Sequence, residues 1–125
     1  MSSRAPVPGS GGVAEQLAAE RLCQSGYVVR EKNYRCPLGE IDIVAEDGDV
    51  LCFIEVKFRA GEQQGHPLEA ITPAKRRTIS LVALHYLQKY AVAEDVTVRF
   101  DAVAVTLGED SCEVEIVPGA FESSI

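Results

Sequence analysis

The sequence predicts one α/β domain with the element order α-β-β-β-α-β-β. The length of 125 residues suits a single domain. Apolar residues recur with helical spacing in two segments and alternate with polar residues in others. A valine-rich run at residues 96–107 follows the second helix and is typical of a buried strand that can pair in parallel with its neighbour. We expect a flexible tail at residues 1–12, the domain at residues 13–117 and a C-terminal tail at residues 118–125.

The two helices have clear sequence signals. The first is predicted over residues 13–25, with Gly26 as its C-terminal cap and a short strand at residues 27–33 after it. Its apolar residues recur at helical spacing: Ala14, Leu17, Ala18 and Leu22. The second begins at Thr72 and Pro73, a hydroxyl cap followed by proline in the first helical position. Its apolar stripe comprises Ile79, Val82, Ala83, Tyr86, Leu87 and Tyr90.

A β-hairpin is predicted from residues 40–46 and 50–59, joined by a two-residue Asp47-Gly48 turn. This register pairs Glu46 with Asp49 and places four charged residues on one face of the hairpin: Glu40, Asp42, Glu55 and Lys57. The opposite face is apolar and comprises Ile41, Ile43, Ile54, Val56 and Phe58. Residues 60–71 form a polar loop, and residues 113–117 a short edge strand.

The acids of this hairpin allow two interpretations. Like charges opposite one another destabilise a hairpin, and partly buried charges need partners or a metal. Mg²⁺ prefers one or two carboxylates together with water and phosphate oxygens. A metal site is therefore one hypothesis, and a solvated strand face is the other. Glu15 lies at the edge of the apolar face of the first helix, so it can lean toward the sheet.

The hairpin motif resembles the signature of PD-(D/E)XK nucleases. Asp42 is followed thirteen positions later by Glu55-Val56-Lys57. The blocks Gly-Glu-Ile-Asp (39–42), Phe-Ile-Glu-Val-Lys-Phe-Arg (53–59) and Arg-Phe-Asp (99–101) together resemble the bacterial YraN family, which is related in fold to archaeal Holliday-junction resolvases. The resemblance runs over about residues 13–107. The sequence departs from the nuclease signature in lacking proline before Asp42, and from the family in having Ala14, where glycine is common, before Glu15.

This resemblance implies a restriction-endonuclease-like mixed central sheet flanked by helices. The implied activity is metal-dependent endonucleolytic hydrolysis of DNA phosphodiesters, with branched or structured DNA among the substrates. Asp42 and Glu55 would hold Mg²⁺ or Mn²⁺, with Glu15 as the helical acid and the Val56 carbonyl as an extra ligand. Lys57 would be the catalytic lysine. The alternative is a non-catalytic adaptor for nucleic acid or protein that keeps the nuclease fold.

Four basic residues are candidates for contacts with DNA phosphates. Arg59 continues the face of Lys57, and Lys75, Arg76 and Arg77 lie in the first turns of the second helix. A solvated helix start is the other interpretation of these three residues. Cations at a helix start are unfavourable for the helix dipole, which favours a functional reason.

Charge and composition set limits on the class of protein. The net charge is −7, and residues 94–125 contain one basic and eight acidic side chains. A pI of 4.8 does not favour tight nonspecific DNA binding and favours the adaptor alternative. No segment approaches the roughly 20 apolar residues of a membrane span. Residues 1–12 lack a signal-peptide core, and the four cysteines form no Cys-x-x-Cys pair, so we expect a cytoplasmic protein without zinc or disulfides. A two-fold homodimer would suit cleavage of both strands of a branched substrate.

Overall fold

The structure, a computed structural model, describes residues 11–60 and 67–125, and its helices and strands follow the predicted order. They are α1 (Gly11–Gln24), β1 (Val28–Cys36), β2 (Gly39–Asp47), β3 (Val50–Ala60), α2 (Pro73–Lys89), β4 (Thr97–Leu107) and β5 (Cys112–Phe121). The predicted tail at residues 1–12 lies outside the described residues except for Gly11 and Gly12, which begin α1. In the predicted loop, residues 61–66 are also outside, and Pro67–Ala70 form a short 3₁₀ helix.

The strands form one mixed sheet in the order β1-β2-β3-β4-β5. The pair β3 and β4 is parallel, as predicted from the valine-rich run, and the other pairs are antiparallel. Parallel neighbours need a long crossover, and α2 lies within it. The α/β order and the mixed sheet are confirmed, and both are compatible with the restriction-endonuclease-like fold.

Each face of the sheet is covered by one helix. α1 packs against Ile43, Ile54 and Val103. α2 packs its buried residues Ile79, Val82, Ala83 and Tyr86 against a second cluster that contains Val44 and Phe53. Tyr90, predicted to continue this stripe, is instead the C-cap of α2 and is 48% exposed.

The start of α2 has the predicted cap. Thr72 Oγ1 accepts a hydrogen bond from the Lys75 amide at 3.2 Å, and Pro73 is the first residue of the helix. This cap fixes where the first turn of α2 begins above the sheet, and it therefore sets the starting point of the Lys75 side chain.

The hairpin register differs from the prediction by two residues. Asp47 pairs with Val50, so the turn is Gly48-Asp49 rather than Asp47-Gly48. Gly48 has φ +60°, and a glycine with positive φ in the first central position is what a type II′ turn requires. A shift of two residues changes the pairing but does not by itself move a side chain to the other face, because strand alternation has a period of two. It brings Asp42, rather than Glu40, opposite Glu55.

The alternation of β2 is broken at Asp42, which the sequence pattern did not predict. Ile41 belongs to the buried cluster that packs against α2, whereas Ile43 belongs to the buried cluster that packs against α1. The prediction that these two isoleucines share a face is therefore wrong. On β1, Asn33 lies between the pairs Tyr34–Ile41 and Lys32–Ile43 and has φ +55°, a left-handed conformation that asparagine tolerates better than most residues. The two strands change face together at this level.

The last strand is longer than predicted. β5 continues to Phe121 instead of ending at Val117, so residues 118–121 lie in the sheet rather than in a tail. Phe121 is buried and stacks on Phe100 with a centroid distance of 5.2 Å. Beyond it, the Ser124 amide donates to Ser80 Oγ. Proline and glycine at positions 118 and 119 concealed this continuation in the sequence.

Asp101 is a structural acceptor. Its carboxylate, 0% exposed, accepts hydrogen bonds from Arg99, the Tyr27 hydroxyl and the Gly119 amide. It pairs in register with Ile54, so it lies on the α1 face of the sheet, opposite to the face of Glu55. The network joins β4, β5 and the segment that leads into β1.

Two further findings concern the whole chain. Neither helix among residues 11–60 and 67–125 is long and apolar enough to cross a membrane. All four cysteines are free thiols, and of these Cys52 is buried.

Candidate active site

The candidate site lies where β2 separates from β3. The paired positions run from Asp47–Val50 to Ile43–Ile54 and then stop. In place of the next backbone contact, Asp42 Oδ2 accepts the Val56 amide hydrogen at 2.8 Å. A carboxylate thus satisfies a strand amide that would otherwise lack an acceptor. This contact fixes Asp42 beside the Glu55-Val56-Lys57 segment.

Glu55 lies on the α2 face of β3 and is 3% exposed. Its Oε2 atom lies 3.3 Å from Lys57 Nζ and 3.5 Å from Lys75 Nζ. A buried carboxylate is costly unless it is paired, and these two ammonium groups pair it. Lys57 belongs to the same strand, whereas Lys75 reaches Glu55 from the first turn of α2.

The pKa of Asp42 depends on its burial and on the neighbouring Glu55. Burial raises the pKa of Asp42, and the nearby charge of Glu55 raises it further, to about 7. The hydrogen bond from Val56 opposes this shift, while a hydrogen bond with Glu55 and the charge of Glu15 add to it. A proton or a bound cation offsets the charge of a partly buried carboxylate, such as Asp42, that lies beside a second acid.

Glu15, on α1, acts on the pair through its charge, which is among the causes that raise the pKa of Asp42. Burial raises the pKa of Glu15 itself, a hydrogen bond with Asn33 lowers it, and the charge of Glu40 raises it. Within residues 11–60 and 67–125, no three His, Cys, Asp or Glu side chains are close enough together to form a metal cluster. The site is therefore a carboxylate pair with Glu15 in its electrostatic surroundings.

The predicted phosphate-binding residues separate into two groups. Arg59 is half-buried and follows Lys57 on β3, while Lys75 joins the acid pair. Arg76 Nε instead donates to the Ile71 carbonyl, and its guanidinium lies 5.9 Å from the centre of the Phe121 ring. Arg77 is exposed on α2. Of the three basic residues at the start of α2, the structure thus places Lys75 beside the acid pair.

Known proteins similar to this chain form one family. The profile of Uncharacterised protein family UPF0102 matches residues 14–105. A UPF0102 protein of Syntrophus aciditrophicus (strain SB) is 44% identical over 113 residues, which are 90% of this chain and 88% of that protein. One from Moorella thermoacetica (strain ATCC 39073 / JCM 9320) is 44% identical over 113 residues, 89% of this chain and 93% of that protein. One from Geobacter metallireducens (strain ATCC 53774 / DSM 7210 / GS-15) is 41% identical over 112 residues, 90% of this chain and 91% of that protein.

The chain belongs to the UPF0102 family. UPF0102 is the YraN family, so the family resemblance carried by the motif blocks is confirmed. The matched residues, 14–105, contain β2, β3 and the start of α2. They therefore include Glu15, Asp42, Glu55 and Lys57.

Two residues that support the UPF0102 site were not predicted from the sequence. Asn33 holds Glu15 by a hydrogen bond. Gly39 lets the start of β2 approach α2, because a Cβ atom there would lie 2.8 Å from Thr78 Cγ2. Asparagine is uncommon inside a strand, which was an available signal for Asn33. Nothing in the sequence of the turn at residues 37–39 indicated that α2 packs against Gly39.

The donor set of this UPF0102 chain fits a hard divalent cation. It offers carboxylate oxygens from two adjacent strands, which is the donor number that Mg²⁺ accepts alongside water and phosphate oxygens. Burial, and then the charge of Glu55, raises the pKa of Asp42 to about 7, so a bound cation would compensate a carboxylate that is otherwise costly to ionise there. The Lys57 ammonium group lies 3.3 Å from Glu55 Oε2.

Proposed function

We propose that this UPF0102 chain is a metal-dependent endonuclease that hydrolyses DNA phosphodiesters. The observation that carries the proposal is the Asp42–Glu55 pair on two adjacent strands, with Glu55 buried, Asp42 half-buried and the Lys57 ammonium against Glu55. Two acids that hold a cation beside a lysine can support phosphodiester hydrolysis, and their order along the chain is that of the nuclease signature.

Each residue has a definite role in the proposed mechanism. Asp42 and Glu55 would hold Mg²⁺ or Mn²⁺, with the Val56 carbonyl as a further ligand and Glu15 as an outer acid. When bound, the ion polarises a phosphate and lowers the pKa of water. Lys57 orients the attacking water or stabilises the charge that develops on the phosphate. Arg59 contacts the DNA backbone, together with Arg77 from the exposed side of α2.

Branched or structured DNA is the substrate class we favour. The protein is acidic overall, so general attraction to duplex phosphates is weak, and shape would have to contribute to recognition. The test is cleavage of labelled single-stranded, duplex, flap and four-way-junction DNA with Mg²⁺, Mn²⁺ or EDTA. We expect cleavage that requires metal and is fastest on a branched molecule.

Carboxamide variants make this test specific to the site. Asp42→Asn and Glu55→Gln should each lower the cleavage rate about 100-fold or more, since each removes a charged ligand but little volume. Asp49→Asn is the matched control, because Asp49 is an exposed acid of the hairpin turn. Full activity of both site variants, with folded protein, would refute the proposal.

A second candidate function is a non-catalytic adaptor that keeps the nuclease fold. It is favoured by the acidic C-terminal third, where Glu113 and Glu115 are exposed on β5. It predicts a partner that binds equally well to wild type and to Asp42→Asn, and no metal-dependent cleavage of any DNA in the panel. Loss of partner binding in Asp42→Asn would contradict it.

A further inference from the structure

Two ammonium groups from different elements compete for one oxygen of Glu55. Lys57 Nζ is 3.3 Å from Glu55 Oε2, and Lys75 Nζ is 3.5 Å from the same atom. The Glu55 side chain is only 4% exposed, so these neighbours rather than water determine how its charge is compensated. The two lysines are placed differently, and this difference suggests different roles.

Lys75 is the more exposed partner of the two. Its side chain is 39% exposed, compared with 23% for Lys57. Lys57 stands on the same central strand as Glu55, two residues away, whereas Lys75 extends across from the first turn of α2. A long, half-exposed lysine can move its ammonium group into water without exposing apolar surface.

The charge balance at Glu55 depends on what else is bound. With protein groups alone, a buried carboxylate beside a second acid needs compensating positive charge, and Lys75 supplies it. A divalent cation on Asp42 and Glu55 would add two positive charges at the same oxygens. The Lys75 ammonium would then face a cation of like sign at close range, and its most favourable position would be elsewhere.

We propose that Lys75 is an exchangeable counter-ion of Glu55, which neutralises the carboxylate when no metal is bound and is displaced when a divalent cation binds. The proposal rests on the proposed function, since it requires Asp42 and Glu55 to be metal ligands. It explains how the fold tolerates a buried acid pair before metal arrives. Its consequence is a lower affinity for metal than the two acids alone would give.

Binding of Mn²⁺ without DNA tests this exchange independently of cleavage. We expect Lys75→Met to bind Mn²⁺ about tenfold more tightly than wild type, as measured by the electron paramagnetic resonance of free Mn²⁺. Lys75→Arg keeps the positive charge and should stay near wild type. Lys89→Met is the matched control, because Lys89 lies on the same helix about 21 Å away and reports the general effect of losing one charge.

Thermal unfolding in EDTA supplies a second readout. Without metal, Lys75→Met should melt below Lys75→Arg because Glu55 has lost a charged partner, and saturating Mn²⁺ should remove that difference. If Lys75→Met binds Mn²⁺ no more tightly than Lys89→Met, the exchange is refuted while the metal site stands. If wild type binds no Mn²⁺, or Asp42→Asn binds it equally well, the proposed metal site and this inference fail together.

Discussion

The two buried acids of the described fold, Asp101 and Glu55, are stabilised in different ways. Burial alone would raise the pKa of Asp101, but hydrogen bonds from Arg99, Gly119 and Tyr27 and the charge of Arg99 lower it below the usual value. Glu55 has ammonium partners but also faces a second acid, Asp42. The fully hydrogen-bonded Asp101 is a structural element, whereas Asp42, whose pKa is raised by burial and by the charge of Glu55, is a candidate functional group.

Replacement of Asp101 by asparagine should destabilise the fold by about 3 kcal/mol, because Arg99 then keeps a half-buried charge with one carboxylate partner fewer. Since the folded pKa of Asp101 is lowered, its contribution is present above the unfolded value of 3.8 and is lost as pH falls through the folded pKa. Urea unfolding measures both effects. Asp49→Asn serves as the exposed control, and an equal loss in the two variants would contradict this role for Asp101.

Asp42 should give the opposite pH dependence in metal-free protein. Burial and the charge of Glu55 raise its folded pKa to about 7, so the stability from its bound proton is complete below 3.8 and is lost as pH rises through about 7. We expect the urea midpoint of wild type in EDTA to fall between about pH 5 and about pH 8. Asp42→Asn should show a flatter profile. Identical profiles for the two proteins would rule out the raised pKa.

At the scale of elements, the sheet face on which a side chain lies was more predictable from the sequence than the strand register or the contacts between elements. A register error of two residues left Asp42, Glu55 and Lys57 on one side, since faces depend only on alternation. The break at Asp42 was not predictable, because it depends on a left-handed residue in the neighbouring strand, Asn33. The position of Lys75 was not predictable either, since it depends on how α2 crosses the sheet.

The contact between β2 and α2 depends on Gly39. An alanine Cβ would lie 2.8 Å from Thr78 Cγ2, and φ is +150°, so Gly39→Ala should destabilise the protein by about 2–3 kcal/mol. Gly48→Ala is the matched control, because φ is also positive there but nothing lies within 4 Å of the added atom. It should lose about 1 kcal/mol.

A rescue experiment separates steric clash from backbone strain at Gly39. Thr78→Ser removes the Cγ2 atom that the new methyl group would meet, so it should restore part of the stability lost in Gly39→Ala. Urea unfolding of the single and double variants measures this coupling. Purely additive losses would show that Thr78 Cγ2 is not what constrains this position.

At the scale of the whole molecule, the element order and the family were predictable, because both follow from local patterns and motif blocks of this chain. The full length of β5 was not, since proline and glycine at its end concealed a strand that continues to the buried Phe121. Asp42, Glu55 and Lys57 were predicted as site residues from their spacing in the sequence. The contacts between them depend on the folded sheet.

The most direct test of the account is DNA cleavage by Lys57→Met at a concentration of Mn²⁺ that saturates the protein. Lys57 is placed to act on the substrate rather than to hold the metal, so the variant should bind Mn²⁺ yet cleave about 100-fold more slowly than wild type. Lys89→Met, treated identically, should cleave at the wild-type rate. Cleavage by Lys57→Met at the wild-type rate, with Mn²⁺ bound, would contradict the assignment of this site as the catalytic centre.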